Sequence, residues 1–364
     1  MDATFEQAKA FFLQGLAHYQ AGRWAAAERA FAASLALVPG RPSTLTNLGA
    51  TVLKLGRAEE AAELLQEALA QEPDNAEALA QLSAALAELG RAQPALECVI
   101  RSLSIDARNA AAWTLRGTLE REAGRREAAA SSFRRALETG ADASLVNYYL
   151  AGVSGADAPA APPRGYVEQL FDSYADGFEQ HLAGALQYRG PEILVAGLSR
   201  DRYGAALDLG CGTGLAAPLL RPLCERLTGV DLSANMVQRA RAGGLYDEVR
   251  QGEAVEVLSS MPAASLDLVL AADVFIYVGA LEAVFAQAAR VLRPGGEFSF
   301  SVEQADEPHA FELRMSLRYA HSERYIRTLA GQCGFELHAV QRHPLRIDQG
   351  QPVAGLFAWL RRNG

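Results

Sequence analysis

Asp208-Leu209-Gly210-Cys211-Gly212-Thr213-Gly214 decides how the second half of this 364-residue chain folds. An apolar run (Ala205, Ala206, Leu207) precedes it and Leu215 to Leu220 follow, so the stretch reads as strand, tight turn, helix. Glycines at alternate positions let a turn bring its backbone amides against a ligand. A dinucleotide would place a pyrophosphate near the helix start, and Asp208 would repel it. A cationic ligand reverses that logic and makes the acid an asset.

One strand later, Leu227-Thr228-Gly229-Val230-Asp231 ends in a second acid, 21 residues beyond Gly210. An acid at that distance in a βαβ unit hydrogen-bonds the ribose hydroxyls of an adenosine. From Leu207 to Ser233 the chain resembles motifs I and II of the class I S-adenosylmethionine-dependent methyltransferases, whose cofactor carries an ammonium and a sulfonium. The resemblance implies an α/β Rossmann-like domain with a seven-stranded, mostly parallel sheet. It also implies S-adenosylmethionine as cofactor, leaving as S-adenosylhomocysteine. The residues expected to hold it are Asp208, Gly210, Cys211, Gly212, Gly214, Asp231, Leu232, Met236, Glu253, Ala254, Asp273 and Tyr174. Glu253 stands where the family usually has Asp, accepting from the adenine amino group. Met236 reads equally as an adenine contact or as core, and Asp273 as a ligand contact or a structural hydrogen bond. Ser233 is placed to cap the helix that follows.

Gly165 to Leu186 has helical periodicity and resembles the F-D-x-Y-A-x-x-F segment that covers the cofactor in many small-molecule methyltransferases. Phe171 reads as core; Tyr174 and Phe178 read equally as lid or core. Leu266 to Asp273 reads as a buried fourth strand. Its end, Ala272-Asp273-Val274-Phe275, lacks the Asn/Asp-Pro-Pro-Tyr pattern of methyltransferases acting on adenine or glutamine amino groups. Val291 to Val302 reads as a helix end, a Pro-Gly-Gly turn and the fifth strand. Arg318 to Arg327 reads as the opening of a helix, and Gly334-Phe335 and Gly350 to Phe357 lead into the sixth and seventh strands. With Leu186 to Pro191, the composite resembles bacterial methyltransferases that carry tetratricopeptide repeats. For an acceptor that must lose a proton, His321 is the candidate base, since imidazole titrates near neutrality. Tyr319 and Tyr325 would orient it or the acceptor, His309 is the second choice, and the alternative for His321 is a helix cap or surface position. Phe178, Glu303, Arg314 and Tyr325 are the candidate acceptor contacts.

The first half is periodic. Gly-Arg dipeptides begin at Gly22, Gly56, Gly90 and Gly124, each 34 residues from the last. That is the period of tetratricopeptide repeats, antiparallel helix pairs stacked into an all-α solenoid. Small residues at Gly15, Gly49, Ser83 and Gly117 pack the two helices of each unit, and the second helix carries Ala27, Ala61, Ala95 and Ala129, then the bulkier Phe31, Leu65, Val99 and Phe133. Pro39 and Pro73 end the first two units, where Ala107 and Ala141 stand in the others. Ser144 to Val153 suits a capping helix. The expected organisation is therefore repeats over 1–153, a Pro/Ala linker over 154–164 and the methyltransferase domain over 165–364.

By the repeat register the concave face includes Lys9, Phe12, Tyr19, Thr46, Lys54, Glu88, Thr118 and Arg121. Their mixed charge argues against a chaperone-type carboxylate grip. Either the repeats bind a protein or peptide partner, or recruit or enclose the acceptor, itself a protein, a peptide or a natural-product intermediate, or they make a homodimer of an enzyme with a small-molecule acceptor. A third reading is a repeat scaffold with a vestigial cofactor pocket.

Half of the residues are hydrophobic and the formal charge is −9, against a broad nucleic-acid footprint. Cys98, Cys211, Cys224 and Cys333 form no C-x-x-C pair, so no metal site is expected. The start shows no basic leader and no apolar run reaches membrane-spanning length, so a cytoplasmic location is expected.

Overall fold

Each Gly-Arg dipeptide marks the same joint between two helices. In the computed structural model, which describes residues 3–155, 158–174, 188–348 and 350–364, contacts divide the chain into Met1–Ser154 and Gly155–Gly364. The first unit holds α1 (Ala3–Gln20), α2 (Trp24–Leu37), α3 (Pro42–Lys54), α4 (Ala58–Gln71), α5 (Ala76–Glu88), α6 (Ala92–Ile105), α7 (Ala110–Glu122), α8 (Arg126–Glu138) and α9 (Ala143–Ser154). Within each pair the turn passes through Gly22, Gly56, Gly90 or Gly124 at φ between 68° and 78°, a left-handed conformation that glycine adopts freely.

The pairs close on their small residues. A Cβ added at Gly15 or Gly117 would lie 2.5 Å from the Phe31 or Phe133 ring, and one at Gly49 2.7 Å from Leu65. The third pair carries Ser83 instead, opposite the shorter Val99, and its buried hydroxyl donates to the Ala95 carbonyl at 2.8 Å. Ala27, Ala61, Ala95 and Ala129 are fully buried. Asn75 and Asn109 cap the starts of α5 and α7 by accepting from Ala78 N and Ala112 N, both at 3.0 Å, and Gly140 follows α8 at φ 95°. Asp142 caps α9, whose Tyr149 ring packs 5.5 Å from that of Phe133 and covers the last pair. Thr46, expected on the concave face, is buried inside α3.

The second unit opens with α10 (Arg164–Tyr174) and α11 (Gly190–Ala196). Its strands are β1 (Tyr203–Leu209), β2 (Cys224–Asp231), β3 (Glu248–Gln251), β4 (Leu266–Ala271), β5 (Leu292–Gln304), β6 (Phe311–Leu313), β7 (Tyr319–His321), β8 (Phe335–Asp348) and β9 (Gln351–Arg362). Between them run α12 (Ala234–Ala242), α13 (Ala254–Ser260), α14 (Glu282–Val291) and α15 (Glu323–Gln332). Strands β3-β2-β1-β4-β5 are parallel, and β9 continues antiparallel to β5 with β8 beyond it. This is the expected α/β sheet of seven strands, mostly parallel.

Two short strands were not expected. Tyr319-Ala320-His321, read as helix, is β7. It pairs with Glu303 and Gln304 of β5 and carries β6 antiparallel on its outer side. A strand has two edges, and β9 occupies one side of β5 through Glu303, so β7 takes the other, beyond where β4 stops opposite Phe300. The helix begins only at Glu323, with the Ser322 hydroxyl accepting from Tyr325 N. Phe275, Phe285, Phe298, Phe300 and Phe335 form an aromatic core against β5, with Phe298 and Phe300 ring centroids 4.8 Å apart.

Residues 158–163, read as a linker, are tied into the second unit. Ala160 O accepts from Gly279 N and Ala280 N, and Pro159 O accepts from the Tyr319 hydroxyl at 2.9 Å. A Cβ at Gly279 would lie 2.8 Å from Pro159 O, so the strap needs a glycine beneath it.

Candidate cofactor and acceptor site

The turn after β1 is shaped by contact as well as by dihedral angle. Gly210, Gly212 and Gly214 have φ of 71°, 55° and 100°. A Cβ at Gly210 would come 2.4 Å from Val274 Cγ2, so the backbone there lies against the end of β4. Cys211 N donates to Val230 O at 2.8 Å and pins the turn to β2. Asp231 accepts from Gly212 N and from Ser233 N, both at 2.9 Å, which fixes its carboxylate at the mouth of the turn. Ser233 in turn caps α12, as its sequence position suggested.

Asp208 is 1 % exposed, and among the described residues no arginine or lysine pairs with it. Its partner is Tyr246, whose hydroxyl donates to it at 2.6 Å. Burial lifts the Asp208 carboxyl from its ordinary 3.8 to about 7; Tyr246 opposes the rise and the nearby Asp231 adds to it. A buried acid poised in this way is completed by a cation. Tyr246 escaped the sequence reading, although a signal existed: Gly229 interrupts strand β2, and a Cβ there would meet the Tyr246 ring at 3.1 Å.

These groups border a cavity of about 640 Å³. Of the expected cofactor residues, Asp208, Gly210, Cys211, Gly212, Asp231, Leu232, Glu253, Ala254 and Asp273 line it. Gly214 sits beside the Tyr246 ring, and Met236 is fully buried in α12. Glu253 caps α13 by accepting from Glu256 N at 2.9 Å, a role the sequence had not suggested. Asp273 sits in the left-handed region at φ 58° and accepts from Arg346 Nη1 at 3.1 and 3.2 Å. Tyr174 is the last residue of α10; its side chain and all of Phe178 lie outside the described residues.

The residues expected on the acceptor side are elsewhere. His321 is fully buried, Nε2 sits 2.9 Å from Gly279 O, and burial lowers its pKa from 6.5 to about 4. It stacks on Tyr325 with 6.2 Å between ring centroids. Tyr325 itself takes a hydrogen bond from Leu281 N at 2.8 Å. Tyr319 holds the strap. Glu303 is 2 % exposed and accepts from Arg314 Nη1 at 3.1 Å and from Arg346 Nη2. None of His321, Tyr319, Tyr325, Glu303 and Arg314 lines the cavity, because each is spent on the β5–β7 packing or its ion pairs. The wall is built instead by Tyr188, Tyr277, Arg318, Arg346 and Asp348, from four separate segments. Arg318 donates to Asp348 at 2.8 Å.

Among the described residues no group of His, Cys, Asp and Glu could hold a metal ion, and no helix is long and apolar enough to cross a membrane.

The family model described as a methyltransferase domain matches residues 207–300, and two described as tetratricopeptide repeats match residues 5–42 and 52–119. The chain is similar to malonyl-[acyl-carrier protein] O-methyltransferase of Enterobacter lignolyticus (strain SCF1), 30 % identical over 44 % of this chain and 63 % of that one. It is similar to ubiquinone biosynthesis O-methyltransferase of Xanthomonas oryzae pv. oryzae, 33 % identical over 31 % of this chain and 48 % of that one. Phosphatidylethanolamine N-methyltransferase of Cereibacter sphaeroides is 32 % identical over 47 % of this chain and 85 % of its own length. Of the first two relatives this chain spans about half to somewhat under two thirds.

Proposed function

We propose, from the premise that this chain belongs to the class I S-adenosylmethionine-dependent methyltransferases, that it methylates an acceptor which its tetratricopeptide repeats recruit. The observation that carries the reading is Asp208, a buried carboxylate with no cationic partner among the described residues, beside a glycine turn that has no room for a side chain at Gly210 and in one cavity lining with Asp231. These residues fit the cofactor's chemistry. Bound there, S-adenosylmethionine supplies a methyl group already attached to a positively charged sulfur.

The chain's own residues then have separable tasks. Asp208, ionised, pairs with the amino-acid ammonium. Asp231, held in place by the backbone amides of Gly212 and Ser233, accepts from the ribose hydroxyls. Leu232 and Ala254 flank the adenine, and Glu253 stays at its helix cap. Val274, Ile276 and Val278 give the cavity an apolar wall that excludes water from the transfer. The positional demand is strict, since an in-line displacement needs its reacting atoms about 3 Å apart and aligned.

The relative named for a malonyl group on a carrier protein supports an acceptor delivered on a polypeptide, which would give a repeat array its use. Calorimetry tests the cofactor half: wild-type protein binds S-adenosylmethionine, and Asp231→Ala weakens it by about tenfold or more. No binding to the wild type would end the enzyme reading. For the repeats, Lys54→Glu with Arg121→Glu should raise KM for malonyl-acyl carrier protein as a first probe and leave cofactor affinity unchanged. An unchanged KM would remove the recruiting role.

A further inference from the structure

We propose that Arg346 and Tyr188 bind the carboxylate of the cofactor's amino-acid end, next to the Asp208 that takes its ammonium; the inference rests on the methyltransferase reading above. Arg346 lies in β8, is 2 % exposed and lines the cavity. Two of its nitrogens are engaged, Nη1 by both oxygens of Asp273 and Nη2 by Glu303. Among the described residues its Nε has no hydrogen-bond partner. A buried guanidinium N–H without an acceptor is unfavourable, and a ligand oxygen in the cavity would complete it.

Tyr188 lines the same cavity. Burial and the adjacent Asp273 and Asp208 hold its hydroxyl protonated, with Arg346 opposing them, so it stands among all three and remains a donor. An α-amino acid carries its ammonium and carboxylate on one carbon, so the groups that recognise them must be neighbours. Tyr188 interacts with both Asp208 and Arg346, and all three line one cavity. The two acids on Arg346 fix the direction of its free N–H and offset its charge, so it acts here as an oriented donor.

The test compares S-adenosylhomocysteine with S-adenosyl-3-thiopropylamine, the same molecule without the carboxylate, by calorimetry. On the full-length wild type the amine should bind about tenfold more weakly or worse. In Arg346→Gln, S-adenosylhomocysteine should fall by about the same factor and the gap between the ligands should close to about twofold. Tyr188→Phe should narrow the gap partially. Arg346→Gln also deprives Asp273 and Glu303 of a cation; if it fails to melt cooperatively, the wild-type pair and Tyr188→Phe decide the matter. Equal binding of the two ligands by the wild type overturns the assignment, as does an undiminished gap in a folded Arg346→Gln protein, which would leave Arg346 to an acceptor oxygen. If neither ligand binds the wild type, the methyltransferase reading itself falls and takes this assignment with it.

Discussion

The glycines of the two units share a backbone conformation and differ in their neighbours. Gly56, Gly90 and Gly124 in the repeat turns, like Gly210, Gly212 and Gly214 in the cofactor turn, have positive φ. A Cβ at any of those three repeat positions would meet nothing within 4 Å, whereas one at Gly210 would lie 2.4 Å from Val274. The repeat turns require a dihedral angle. The cofactor turn requires that angle and, at Gly210, the absence of a side chain, because Val274 packs directly against its backbone. Stability and function should therefore come apart between the two units, and substitutions can measure how far.

Asp208→Asn carries the largest expected effect, and it runs in two directions. Without the carboxylate, affinity for S-adenosylmethionine should drop by about a hundredfold. The unliganded protein should nevertheless become more stable at pH 8. The folded acid keeps its proton up to about 7, while the unfolded one loses it near 3.8. Between those values the folded state binds more protons, so stability falls as pH rises through the window and stays reduced above it. His321 acts with the opposite sign. Its folded pKa of about 4 lies below the ordinary 6.5, so the unfolded state takes up the proton and stability rises with pH between them. At about 1.4 kcal/mol per unit the shifts are worth up to roughly 4–5 kcal/mol for Asp208 and roughly 3–4 kcal/mol for His321, and the two largely cancel in the wild type. Calorimetric melts from pH 4.5 to 8 should thus be nearly flat for the wild type and climb steeply for Asp208→Asn. A variant less stable than the wild type at pH 8 would show that Asp208 is not an uncompensated acid.

Next in size are two overpacked glycines, one in each unit. Gly210→Ala combines strain at φ 71° with the clash against Val274, and should destabilise by about 2–4 kcal/mol while abolishing cofactor binding. Gly15→Ala meets the Phe31 ring at 2.5 Å but sits in ordinary helix, where alanine is the better residue by about 1 kcal/mol. Its net cost should be about 1–2 kcal/mol, with cofactor affinity unchanged. Denaturant midpoints and calorimetry on the same samples check both. A loss of cofactor binding in Gly15→Ala would contradict the separation of the two units' roles.

What was legible in the chain follows the same division. The repeats could be read because one packing problem is solved at one register, so Gly15, Gly49, Ser83 and Gly117 report on each other. Asp208, its glycines and Asp231 could be read because two adjacent strands bring a contiguous run into one site. Tyr188, Tyr277, Arg318 and Arg346 could not, since the sheet gathers them from distant segments with no fixed spacing. β7 was misread because three residues are too few to display alternation and the strong helix signal beyond Ser322 extended backwards over them. His321 does follow the substrate-facing end of β5, pairing opposite Gln304, yet its burial is a tertiary fact that no local pattern records.

The smallest effect is the most demanding test of the distinction between angle and space. At Gly56, φ is 78° and the volume beyond Cα is open. Alanine there should pay only for the left-handed conformation, about 1 kcal/mol. Asparagine, which tolerates that region through its short polar side chain, should cost a few tenths of that, about 0.3–0.5 kcal/mol. Because a repeat contacts mainly its neighbours, the loss should stay in the first unit's transition and leave cofactor affinity untouched. Urea melts that resolve the two variants check the order. If Gly56→Asn were as damaging as Gly56→Ala, the turn would need something besides a dihedral angle, and the contrast with Gly210 would have to be drawn elsewhere.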